Sequence, residues 1–473
     1  MKKIRKPLGG LTARLVFAGV AAAVTTVPAQ ASDQEEIQRL KALIEELDQR
    51  IRVLDRKQEL ATEAAREKEK AAPIVNAGDK GFGFKSADGQ FEYKLKATLH
   101  MDYRHFDGDA YPNAVDGFFA LRIRPNFEGT LFGKYGFRFT PEFGESGDGS
   151  STSGATQNKA RVVDGYIDAR FDPAFQLRFG KFKPFVGLER LQSPGEMKFI
   201  ERSYVSNNIL PNRDMGATAF GEVLNKKLHY ALGVFNGTTD GSESSTGQDI
   251  NNQKDIAARL FARPFLGNDS ALSGLGVGVA ATWSNSSTNL LPSYKTPGQQ
   301  NTFFSYASGT TANGSRDRWS PQAYYYRGPF GVLAEYAVVR QDVIRAGTAA
   351  QLKNDAWQIA TSWLLTGEDA SYQGVKPNRP FSSGEDGGWG AFELLARYQE
   401  NNIDKEAFSS FVDTSKANAS KASTWGVGLR WYLSSLSNFA FNYDYTRFTG
   451  GTGALGLDGK TEQLLIGRYQ IAF

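Results

Sequence analysis

Ten basic side chains mark the chemistry open to this chain. Lys181, Lys183, Arg190, Lys198, Arg202 and Arg213 fall within one stretch, and Arg104, Arg122, Arg124 and Arg178 lie on neighbouring stretches that alternate apolar and polar residues. A guanidinium presents fixed, forked donors that match phosphate oxygens, and it stays charged near neutral pH. A series of cations lets an anion exchange water for protein donors site by site, provided each site is weak enough to release it. Reversible anion binding by pore-lining residues is therefore the leading reading of these ten.

Covalent and metal chemistry have little to work with. The chain has no Cys, which excludes thiol nucleophiles, disulfides and zinc–thiolate sites, and only three His. His100 and His105 read as a lumen residue and a loop residue, and His229 lies near a turn. Gly-x-Ser-x-Gly is absent, and Asp164 and Asp168 share one strand face where solvated lumen charge is the simpler reading. No enzyme activity, cofactor, metal site or nucleic-acid partner is expected.

The stretch holding most of the cations is unusual for a loop. Residues 183–214 also carry Phe185, Val186, Leu188, Leu191, Phe199 and Ile200, too many apolar side chains for a solvated connection. Folded back against a barrel wall, the segment would bury them and narrow a pore. Whole-chain charge adds nothing to this reading. The formal net charge is +4, from 55 Lys+Arg and 51 Asp+Glu, but residues 1–31 hold five basic residues and no acid. That stretch reads as a cleaved signal peptide: basic Lys2–Lys6, a short apolar core from Leu15 to Val24, then Ala29-Gln30-Ala31. Without it 50 basic residues face 51 acidic ones, and from Pro73 onward 41 face 40. An anion preference must come from position.

Two kinds of element position these residues. Over 32–72, a Glu/Lys/Arg/Ala-rich stretch without Gly or Pro spaces Ile37, Leu40, Ile44, Leu47, Ile51 and Leu54 as the a/d seam of a short coiled coil. Ile at a with Leu at d nominally favours two strands. From residue 73 to 473 the period changes to two. Sixteen alternating stretches begin near residues 91, 118, 135, 160, 174, 215, 228, 254, 274, 317, 330, 354, 389, 422, 437 and 461. Their length, their even count and the alternation of brief with long connections predict an all-β, 16-stranded antiparallel transmembrane β-barrel. The connection Gly367–Gly388 departs from the rule, being long where a short turn is due. Sixteen strands leave an aqueous channel.

The blocks RFGKFKPFVGLERLQS (178–193), FIERSYVSNNILPNRDMG (199–216), WLLTGEDASYQGVKPNRPF (363–381) and WGAFELLARYQ (389–399) resemble the phosphate-selective porin O/P family. The terminal Tyr469, Ile471 and Phe473 resemble the C-terminal signal of outer-membrane barrels. The resemblance implies a homotrimeric channel embedded in outer-membrane lipid of a Gram-negative bacterium, with inward-folded loops and an arginine ladder feeding a phosphate or polyphosphate site. Three such chains would bundle their N-terminal helices in the periplasm, where a coiled coil can reach peptidoglycan or another periplasmic component. The alternatives are a general or weakly selective porin and a structural envelope protein tethered through the coiled coil.

Overall fold

The computed structural model describes residues 32–78, 81–144, 160–244, 252–286, 290–384 and 387–473; the signal expected at 1–31 lies outside them. The chain divides after Ala71 into two units. The first is one helix, α1 (Ser32–Ala71). Strong helix formers throughout, without Gly or Pro, account for its length. Surface pairs such as Glu46–Arg50 (2.7 Å) and Asp48–Arg52 (2.8 Å) add support one turn apart. Its Ile/Leu stripe is uncovered, from Leu47 at 49% exposure to Ile44 at 65%.

The second unit begins with a hairpin, β1 (Ile74–Gly78) and β2 (Gly81–Lys85). The next nine strands are β3 (Glu92–Asp107), β4 (Gly117–Leu131), β5 (Tyr135–Glu142), β6 (Arg161–Asp172), β7 (Phe175–Phe182), β8 (Asp214–Val223), β9 (Leu228–Phe235), β10 (Asp255–Ala262) and β11 (Leu275–Ser286). A small two-stranded sheet follows, β12 (Ser293–Lys295) with β13 (Thr302–Ser305). The last seven strands are β14 (Thr311–Arg327), β15 (Phe330–Arg345), β16 (Thr348–Leu364), β17 (Ala391–Asn402), β18 (Lys421–Tyr432), β19 (Ser437–Thr449) and β20 (Thr461–Ala472).

Strands β3–β11 and β14–β20 pair antiparallel in chain order. β20 then returns to β3, with Leu464 opposite Phe106 and Gln470 opposite His100. This closes a sixteen-stranded antiparallel barrel and leaves no free edge among its strands. The hairpin pairs through β2 with the start of β3, and the Phe82 ring meets Phe473 edge-on at 5.6 Å.

Strand alternation sorts the side chains. Ile256, Leu260, Val427, Leu429, Phe441 and Leu465 are exposed on the outer wall, whereas the intervening residues of the same strands face inward. Aromatic residues flank this apolar band on two levels. Trp283 with Trp319 and Tyr398 with Trp425 lie toward the long-loop end, Phe330 with Trp363 and Phe392 with Trp431 toward the short-turn end. Apolar belts between aromatic girdles are the mark of a barrel immersed in lipid.

All sixteen stretches read from the sequence are strands, with three local departures. β14 and β16 begin at Thr311 and Thr348, earlier than their alternation begins: the added end of β14 is mostly polar, and that of β16 turns Leu352 into an inner apolar cluster against which Ala350 packs. The β3–β4 register shifts at His100/Met101, so Leu121 is buried at 5% exposure instead of following the outward parity of Ile123. His105, read as a loop residue, lies within β3 and pairs with Asp116. The sequence reading also missed the β1–β2 hairpin, whose strands are only five residues each.

Candidate functional site

The connection from β7 to β8 spans residues 183–213, one residue short of the expected stretch, because Asp214 opens β8. Its backbone lies inside the barrel and bonds to inward side chains on several strands. The Glu335 carboxylate on β15 accepts from the Leu188 amide (2.6 Å) and the Glu189 amide (3.3 Å). Asn442 on β19 accepts from the Ile200 amide (2.8 Å), and Gln399 on β17 from the Tyr204 amide (2.8 Å). Gln322 on β14 donates to the Val186 carbonyl (2.8 Å), and Gln470 on β20 to the Gly195 carbonyl (2.8 Å). Val186, Leu188, Phe199 and Ile200 are buried, as their apolar character required.

Two further segments meet this one. From the long-loop end, a cap including Tyr294, Phe303, Phe304 and Phe411 packs with Val205 and Ile209 of a single π turn (Val205–Ile209). Gly241 belongs to the same cap. Its φ is +71°, and an added Cβ would lie 1.8 Å from the Asn207 carbonyl, so only glycine fits. From the short-turn end, the long connection between β16 and β17 folds inward: the Tyr372 hydroxyl donates to the Leu188 carbonyl (2.6 Å), and Gln192 donates to the Tyr372 carbonyl (2.8 Å). The irregular length of Gly367–Gly388 thus has a purpose, bracing the inner segment from below.

The ten cations split into two groups. Some are bound to carboxylates and hold the interior together. Arg104 pairs with Asp102 (3.1 Å) and Glu201 (2.6 Å), Lys198 with Glu393 (2.8 Å), and Arg213 with Asp164 (2.8 Å). Arg124 pairs with Glu142, and Arg178 reaches Asp168 through two bonds (2.7 and 3.0 Å) with its guanidinium 3.9 Å from the Tyr166 ring. Sequence reasoning missed other inward arginines, three of which grip this segment. Arg468 binds Asp102 and the Ile200 carbonyl, Arg397 the Glu201 carbonyl, and Arg430 the Met197 carbonyl. All three occupy inward positions of strands near the C-terminus, and their strand parity was the available signal.

The others have no ion pair among the described residues. Lys183 donates to the Gln192 carbonyl (2.8 Å), Arg202 to the same carbonyl (3.0 Å), and Arg190 to Asn212 and Asn207 (3.1 Å each) and to the Ser206 carbonyl. Arg122 meets the ring of His100, at 3.0 Å from Nδ1. Lys181 is buried, with no direct hydrogen bond or ion pair among the described residues. These side chains feel one another. Burial and then the neighbouring Arg190 pull Arg202 down to about 9, and burial followed by Arg213 takes Arg190 to about 10, with Arg122 contributing. Burial, Arg202 and Arg213 hold the Lys183 ammonium well below the usual lysine range. Both guanidinium groups remain charged at neutral pH, so the cluster is a concentration of positive charge at a crowded point of the interior.

A closed sixteen-stranded barrel with a lipid-facing belt and a polar, cation-rich interior defines an outer-membrane porin. The chain belongs to the family of phosphate-selective porins O and P, whose model matches residues 93–467. Porin O of Pseudomonas aeruginosa is 22% identical over 403 residues, covering 79% of this chain and 86% of Porin O. Among solved structures, the outer membrane channel DcaP of Acinetobacter baumannii superposes with a TM-score of 0.51 at 11% identity, over 83% of this chain and 99% of DcaP. An anion-selective porin from Comamonas acidovorans does so with a TM-score of 0.50 at 13% identity, over 81% and 100% of the two chains. The protein is a channel of the outer membrane, not an enzyme.

Proposed function

We propose that this porin passes small anions by passive diffusion, phosphate or polyphosphate in particular, and that residues 183–213 form its constriction. The observation that carries the reading is the group Arg122, Lys183, Arg190 and Arg202, the last two buried and the first two half-buried, without an ion pair among the described residues. Uncompensated buried cations are costly, and an anion entering the lumen relieves that cost. Lys183, Arg190 and Arg202 donate to carbonyls and side-chain amides and Arg122 meets the His100 ring, contacts that can be exchanged for phosphate oxygens without breaking an ion pair. The paired arginines have the complementary role of positioning the segment. The family's description as phosphate-selective points the same way.

The test is a reversal potential in a salt gradient across a planar bilayer, followed by titration of the chloride current with phosphate. Anion selectivity and inhibition by millimolar phosphate are expected, and replacing Lys181 and Lys183 with Glu should abolish or reverse the selectivity. Cation selectivity in the native channel would overturn the reading.

A second role is favoured by the uncovered Ile/Leu stripe of α1. After removal of a signal peptide at 1–31, α1 projects into the periplasm as one strand of a coiled coil in a homotrimer. There it serves as a spacer or tether toward peptidoglycan or another periplasmic component. Loss of envelope integrity with unchanged conductance on deleting 33–72 is the expected signature.

A further inference from the structure

We propose that the cavity on the short-turn side of residues 183–213 binds small organic anions carrying a planar apolar ring, aromatic carboxylates above all. The proposal rests on the anion-channel reading and narrows its substrate class. The cavity has a volume of about 730 Å³, and its lining is not what an inorganic ion alone would require. One wall is a continuous aromatic surface. Tyr324 stacks on Tyr372 with centroids 5.2 Å apart at 23°, and Phe261 and Tyr326 flank Tyr324 at 5.3 and 5.4 Å. Tyr324 and Tyr326 are inward residues of β14 and only partly buried, so they line space instead of filling it.

Beside this wall stands a cation without a carboxylate. The Arg259 guanidinium lies 4.4 Å from the Phe261 ring centre and donates twice to the neutral Gln322 amide oxygen (3.0 and 2.9 Å). Its other contact is His229 Nδ1 at 3.5 Å. Glu335 is the nearby acid, but its oxygens accept from the Leu188 and Glu189 amides. Arg259 therefore forms no ion pair among the described residues. A hydrated inorganic anion gains nothing from aromatic walls, because polar groups lose water there without replacement. A benzoate-like anion satisfies both surfaces: its carboxylate meets the guanidinium fork, and its ring packs against Tyr324 and Phe261 in the offset or edge-on geometry aromatic pairs prefer.

The experiment is block of single-channel chloride current in the full-length protein by benzoate, acetate and benzyl alcohol. Benzoate should block at about tenfold lower concentration than acetate, the ratio expected from one good aromatic contact, and benzyl alcohol should block far less. Replacing Tyr324 and Tyr326 together with Ser should bring benzoate to the level of acetate. Arg259→Gln should weaken both anions while preserving their ratio. Equal block by benzoate and acetate in the native channel overturns the proposal, as does equal block by benzyl alcohol, and neither result needs a variant to fold. A cation-selective reversal potential would instead sink the anion-channel reading, and it is measured separately.

Discussion

Arg104 and Arg122 stand on adjacent strands and face the same interior, yet only Arg104 has carboxylates within reach. Removing Arg104 would leave Asp102 and Glu201 partly unpaired inside the barrel, so its loss is a matter of folding. Removing Arg122 leaves no acid behind, so its loss is a matter of what passes. Arg122→Gln and Arg202→Gln should each lower the affinity of phosphate block by roughly tenfold, about 1.4 kcal/mol or one charged hydrogen bond, with thermal stability little changed. Phosphate titration of chloride current checks this. Lys183 adds a pH dependence whose sign follows from its environment. Its ammonium is disfavoured by burial and then by Arg202 and Arg213, so it loses its proton at lower pH than an ordinary lysine. Anion preference should therefore fall as pH rises, before the range in which an ordinary lysine titrates is reached, and Lys183→Arg should flatten the profile. Reversal potentials at several pH values measure it. Residue types and parity revealed which cations face inward. They did not reveal the pairing, because the partners Glu201, Glu393 and Asp164 come from elsewhere in the chain.

At the scale of elements, the segment 183–213 behaves as a strap tied at several points, and Glu335 is a tie at its start. One carboxylate there satisfies the amides of Leu188 and Glu189, where the short helix α2 (Leu188–Leu191) begins. Glu335→Ala leaves both donors buried and unmatched, a cost of about 1–3 kcal/mol that loosening the strap would relieve. The expected outcome is a larger and noisier single-channel conductance from a barrel that still folds, with Glu335→Gln, which keeps an acceptor, nearer to native. An unchanged conductance in Glu335→Ala would show that the strap does not limit the pore. The inward fold of this segment was legible from its apolar content, since Val186, Leu188 and Ile200 had no other place to be buried. The matching insertion at Gly367–Gly388 was visible only as a length anomaly. Its contacts run through Tyr372 to the backbone of residue 188, and a backbone acceptor leaves no trace in residue type.

At the scale of the whole molecule, sixteen strands were legible because lipid on one side and a polar interior on the other impose period two almost everywhere. The single chain leaves one feature without a physical home. The Ile37–Leu54 stripe of α1 is about half exposed or more in one copy, on a helix whose other faces carry charge. A forty-residue helix in water gains most of its stability from packing an apolar face, and three heptads of Ile and Leu are enough for a coiled coil with other copies. If the barrels associate as trimers, three such helices meet, and the seam closes at no cost to the pore. A Leu47→Cys variant puts the only cysteine of the chain at the centre of that seam, so oxidation should link pairs of chains covalently. Moving the cysteine to Gln49, at the f position on the face away from the seam, should reduce the linkage sharply. Denaturing electrophoresis without reductant distinguishes the two. Equal linkage from both positions, or none from Leu47→Cys, would mean that α1 does not pack with its copies and that another apolar surface covers its stripe.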